Sequence, residues 1–410
     1  MSVWNGSRGV GGLLLLLGCL QCDPGGGRDA GAPDGDADHG EDAGIDVTLD
    51  GEADGDVEGH DAADGSGDPE EDAPPCDGLE WQLDSLAELL DQPGQHYRYA
   101  PAALIDEAGG LHLWMCGNPE AGAVRDHILY SEPGPEGGLT APAIAFGPGE
   151  PGAWDSFHTC DPSVVEGEFL FEGESYRYAL FYSGNDVDST DHVQLGVAFS
   201  HEIAGGGSWT RRTTPLIEHP PGDGWGVGQP SALSVDGGGR VLLFYTRAET
   251  VPHVYVREVD LTDGGSPLVG EERMLHEEGL TGVDGRPDVF TNVDVALDEA
   301  LGTLFIVTER HPFPTDEPTG LVHSLQVLRA ELEDVIAGVE RWVPTLVLAE
   351  DITGSSRYHN AGLLRSLGGS LPARPELTVV FSDSCNGCGF PDWLFNVDLQ
   401  RIDAERTCGP

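Results

Sequence analysis

The sequence predicts an all-β chain: a five-bladed β-propeller with a short N-terminal helix, preceded by a disordered acidic tether. Three observations predict it. Short apolar-aromatic runs of strand length, such as residues 178–182 and 241–246, recur with turn residues between them. A unit made of an opening strand, a turn, an aromatic strand and a third short strand repeats five times at roughly 60–70 residues. The five units fill residues 76–410 and leave no stretch for a second domain.

Residues 1–18 carry one base, Arg8, and a Leu run at 13–17. That run is too short for a bilayer-spanning helix of about 20 residues. Leu16-Leu17-Gly18-Cys19 resembles a bacterial lipoprotein signal, which implies cleavage before Cys19 and acylation of its thiol. An ordinary secretory signal cut nearby is the alternative, and Cys22 is the poorer lipid site because no small residue precedes it. Both readings export the chain, and the first anchors it by lipid to the cell envelope, at the outer membrane or cell surface.

Residues 19–75 are the tether. From Asp23 onward they hold no aromatic residue and only Arg28 as a base, so they cannot bury enough apolar surface to offset the entropy of ordering. Asp34-x-Asp36-x-Asp38 spaces carboxylates as a calcium loop does, but His39 stands where such a loop needs its glycine. The whole chain has 72 acids against 20 bases, a formal net charge of -52, and no Lys. A phosphate-backbone partner is excluded on charge, so no nucleic acid is expected.

The six cysteines beyond Cys22 form an even set suited to disulfides in an oxidising compartment. Cys76 and Cys408 flank the folded region, and Cys116 and Cys160 fall at corresponding ends of neighbouring units. Cys385-Asn386-Gly387-Cys388 reads as a tight-turn disulfide, with a redox motif or half a zinc site as alternatives.

The folded region opens with a capping-box pattern, Ser85-Leu86-Ala87-Glu88, which predicts a helix over 85–91. The strands of the five units then start at 100, 161, 229, 292 and 360; the fifth unit takes residues 393–397 as its third strand. In an antiparallel blade the start of the first strand and the end of the second lie at one end. The residues before each first strand therefore converge on one mouth of the central channel: Tyr99, His158, Asp161, Gln229, Asn292, Asp294, His359 and Asn360. Asn118, Asn185, Glu249, Glu309 and Asp383 join them from the second strands. With Trp114 and Trp225 nearby, such a funnel suits a polyhydroxylated ligand, whose hydroxyls bond amides and acids while aromatic faces stack on its rings.

The units D-P-S-V-V…Y-A-L-F-Y-S-G-N, G-Q-P-S-A-L…L-L-F-Y-T and R-Y-H-N-A-G resemble blades of the five-bladed glycosidases of the arabinanase and β-xylosidase type, glycoside hydrolase family 43. The resemblance covers most of residues 97–402. It implies three carboxylates: a base opening the first blade, an Asp in the second that tunes the acid, and a Glu acid in the third. Asp161 matches the second; Ala100 and Gln229 stand at the other two positions. Activity then requires other acids, with Asp294, Glu309 and Glu249 available. His359-Asn360 resembles the pair from which that family's central calcium takes its imidazole, which implies a Ca2+ ion on the axis at His359, held directly or through water; the alternative is a buried, satisfied His. The reading is a monomeric surface lipoprotein that binds, and in one form hydrolyses, carbohydrate through Asp161, Asp294 and Glu309; the alternative is a glycan- or protein-binding propeller without acid/base residues.

Overall fold

The computed structural model describes residues 87–88, 90 and 95–405, apart from short stretches at 135–137, 190, 204–208, 222–223, 249–250 and 374–375. Five sheets form the propeller, their strands antiparallel except that Arg365–Ser366 runs parallel beside Arg98–Ile105 of blade one. The inner strands are Arg98–Ile105, His158–Phe171, Gly226–Ser234, Asp294–Asp298 and Tyr358–Leu363. The expectations for Cys19, the signal, the tether, Glu249 and a Cys76–Cys408 bridge lie outside the described residues.

Why the strands read as unbroken apolar runs is now visible. In the second strand of blade two, Tyr178, Leu180 and Tyr182 pack toward blade one while Ala179 and Phe181 pack toward blade three. Successive side chains of a strand alternate faces, and here both faces are buried. Blade four repeats the logic, with Leu304 and Ile306 facing blade three and Phe305 and Val307 facing blade five. The apolar core is thus divided into wedges between adjacent blades.

Two expected elements differ. Within 85–91, Ala87–Glu88 is a strand, pairing antiparallel with Gln400 and Arg401 at the outer edge of blade five. An open sheet edge needs ladder partners, and that long-range pairing overrides the local helix signal. The N-terminal strand therefore closes the ring by completing the last blade. In the same blade, Leu394–Asn396 is a 3-10 turn, and the third strand runs Asp398–Glu405. The apolar residues at 393–397 face the channel mouth instead of a neighbouring blade.

Candidate active site

Each blade bends its innermost segment at one equivalent residue. Ala100, Asp161, Gln229, Asn292 and Asn360 have φ of 51°, 48°, 54°, 49° and 46°. A left-handed residue with a side chain costs about 1–2 kcal/mol, so five equivalent cases mark a geometry that the closed ring imposes. In four blades a register shift spans the same point, between Tyr99/Ala102, Cys160/Ser163, Gly228/Ser231 and His359/Ala361. Such bulges re-aim a strand. All five residues line one axial cavity of about 30 Å3, room for a water or two and not for a sugar ring. Gly362 belongs to this crowding: a Cβ there would lie 2.4 Å from Pro101 O.

Asp161 is the one carboxyl among the five bend residues. Its Oδ2 accepts the Ser183 hydroxyl at 2.8 Å, and its backbone N–H points at Cys116 Sγ, 2.9 Å away. Cys116 and Cys160 form the disulfide anticipated between neighbouring units, with Cα atoms 5.0 Å apart. Burial pushes the Asp161 carboxyl up to about 6; the Ser183 hydrogen bond opposes it, Asp126's charge adds to it, and His359 and the Gln229 N–H oppose it.

Glu309 is buried opposite in sense. Its Oε1 takes His359 Nδ1 at 3.1 Å and the Asn360 N–H at 3.2 Å, while Oε2 accepts the Thr291 hydroxyl at 3.3 Å. Burial raises its carboxyl, but the His359 hydrogen bond and charge, backed by His311 and Asn292, outweigh it and hold the group below its ordinary range. Behind it His311 Nδ1 meets Asp288 Oδ1 at 2.9 Å, and its Nε2 lies 3.2 Å from the Thr291 hydroxyl. A relay of carboxylates and imidazoles thus runs from blade four to blade five.

Asp294 does different work. Its Oδ1 accepts the Ser231 hydroxyl at 2.6 Å, its Oδ2 the Leu363 N–H at 2.8 Å, and Arg365 stands 3.5 Å away. Arg365, fully buried, also bonds Ser163 Oγ, Ala232 O and Val295 O. The pair ties blades two, three and four together on the axis, so Asp294's oxygens are engaged in holding the propeller shut.

The remaining expected residues separate. Tyr99 is 1% exposed, its ring on His359 at 5.7 Å. Gln229, Asn292 and Asn360 line the axial cavity, and Asn360 Oδ1 is buried without a partner among the described residues. Trp114 is packed between blades one and two against Tyr130, where it presents no face to the axis. His158 lies nearer the surface and bonds Asp126 Oδ2 at 2.9 Å, while Asp126 Oδ1 accepts the Tyr97 hydroxyl at 2.8 Å. Sequence reasoning missed Asp126, Tyr97, Asp288, His311 and Arg365. Asp126 and His158 are 32 residues apart, and no local pattern joins them.

An open funnel was expected; the mouth is covered. Trp393, Leu394 and Val397, from the loop between the second and third strands of blade five, cluster with Leu321, Tyr97, Tyr99 and Ala100. The Cys385–Cys388 disulfide sits within this cap, and Gly387 N–H bonds Glu317 O at 2.9 Å. A roomier cavity, about 560 Å3, lies at the opposite end of the inner strands between Glu166, Arg177, His201 and Ser234, away from every candidate acid.

The described residues around His359 do not form the cage of about six to eight oxygens that calcium wants: its Nδ1 is bound to Glu309 and its ring is packed on Tyr99. Among the described residues, the grouping that brings three metal-capable donors within reach of one another is Cys116, Cys160 and Asp161, and the disulfide removes its thiolates.

No family model and no curated protein matches the chain. Solved structures do. The alpha-L-arabinofuranosidase of Podospora anserina, in complex with cellotriose, aligns at 14% identity with TM-score 0.53, over 80% of this chain and 98% of that one. A family 117 glycoside hydrolase of the marine bacterium Zobellia galactanivorans gives 12% and 0.55 over 80% and 91%. The fold is that of the five-bladed glycoside hydrolases. An alpha-L-arabinofuranosidase of Lactobacillus brevis shares this glycoside-hydrolase fold at 11% identity and TM-score 0.53, over 76% of this chain and 91% of that one. Identities this low speak for the fold alone, so the chemistry of this propeller rests on its own residues.

Proposed function

We propose that the protein is an exported, lipid-anchored monomeric propeller that binds carbohydrate at its axial mouth and hydrolyses it, with Asp161 as the acid and Glu309 as the ionised partner. Cys19 carries the lipid, and residues 19–75 hold the propeller away from the membrane. The observation that carries this reading is that two buried carboxyls flank one imidazole: His359 bonds Glu309 Oε1 at 3.1 Å and its charge also acts on Asp161, while burial pushes Asp161 up and His359 holds Glu309 below its ordinary range. Opposite shifts in paired carboxyls are what acid/base assignment requires. Solved structures of the same fold act on or hold glycans, which supports the substrate class. Asp294, committed to Arg365, is left to the scaffold.

A second reading, a glycan- or protein-binding propeller without catalysis, is favoured by Ala100 and Gln229 at the two other expected acid positions and by the covered mouth. The test is sugar release by the full-length chain from plant and microbial glycans and aryl-glycosides. Release abolished by both Asp161→Asn and Glu309→Gln supports the acid pair. Binding without release establishes the second reading.

A further inference from the structure

We propose that the Cys116–Cys160 disulfide is a positioning group for Asp161, fixing its backbone and walling its carboxyl from water and from other donors. The inference rests on Asp161 being the functional acid. Three contacts carry it. Asp161 N–H is aimed at Cys116 Sγ from 2.9 Å; Asp161 Oδ1 lies 3.5 Å from Cys160 Sγ and 3.9 Å from Cys116 Sγ. Oxidised sulfurs carry no proton to donate, so this side of the carboxylate is packed without being solvated. The left-handed φ of 48° adds the need for a fixed partner: a strained aspartate holds that conformation only where its surroundings over-determine it.

The disulfide also joins the end of the second strand of blade one to the start of blade two, so the acid's seat is shared between blades. Cys160 Sγ meets the Tyr99 hydroxyl at 3.2 Å, which extends the wall toward His359. The other groups facing Asp161 are the Ser183 hydroxyl, the Gln229 N–H, the Asp126 carboxylate and the His359 imidazole. If the sulfurs do not set the carboxyl's surroundings, its titration stays unchanged when they are removed. If they wall it, the titration moves.

The experiment is a carbon-13 NMR titration of the Asp161 carboxyl in the full-length protein, assigned with Asp161→Asn. It is repeated in Cys116→Ser/Cys160→Ser and Cys116→Ala/Cys160→Ala. The serine pair supplies donors and the alanine pair admits water, so the midpoint falls from about 6 by about one pH unit or more in both. An unchanged midpoint in a folded variant overturns the proposal. So does failure of both pairs to fold while Cys385→Ala/Cys388→Ala folds, since that outcome gives the Cys116–Cys160 bridge a purely structural role. The carboxyl titrates whether or not a glycan binds, so this result is separable from the fate of the hydrolase reading.

Discussion

Asp161 and Glu309 are both buried, in separate hydrogen-bond sets, and pushed in opposite directions, which gives each its own pH signature. Asp161's folded value lies above its unfolded one, so its ionisation opposes folding: stability is unaffected below the unfolded pKa and is lost as pH rises through about 6. Asp161→Asn is therefore expected to be neutral at low pH and stabilising by up to about 3 kcal/mol at neutral pH and above, read from urea unfolding at both pH values. Glu309 is the reverse, held below its ordinary range, with stability present above that range and lost as pH falls through the lowered pKa. Glu309→Gln replaces the carboxylate that bonds His359 and the Asn360 N–H with a neutral amide and is expected to cost about 1–3 kcal/mol near neutrality and less once acid protonates Glu309. At this scale the sequence was informative where the repeat decides: Asp161, read as opening blade two, lies with the four other strand-start residues at the axial cavity. Arg365 was silent, because nothing around it in the chain announces partners in three blades.

Elements carry the closure of the ring. Ala87–Glu88 completes blade five, and Leu90 beside it is buried with Ala103, Leu113 and Leu399 between blades five and one. Leu90→Ala is expected to cost about 2–5 kcal/mol, and Ala87→Pro to open the edge that Gln400 and Arg401 now close; thermal melts read both. The Asp294–Arg365 pair predicts a coupling of about 0.5–3 kcal/mol in a double-mutant cycle with Asp294→Asn and Arg365→Met, because each group leaves the other buried. Additive effects would mean that the pair does not hold blades together. Strand positions were legible, since alternation onto two buried faces leaves runs such as residues 178–182. The closing strand was not: its partner lies some three hundred residues away, and the helix pattern at 85–91 is purely local.

The molecule as a whole is a propeller whose axis is sealed at two levels, by Arg365 with Asp294 inside and by the Trp393–Leu394–Val397 cap at the mouth. Blade count and the converging strand starts were readable from the repeat; the cover was not, because residues 393–397 have the composition of a strand. The most direct measurement is calorimetric titration of the full-length chain, and of Asp161→Asn, with a panel of plant and microbial oligosaccharides that includes cellotriose. The account predicts saturable binding to one glycan class, weakened at least tenfold, about 1.4 kcal/mol, by the substitution. Heat from no glycan, with both proteins folded, would contradict it and turn the search toward a protein partner.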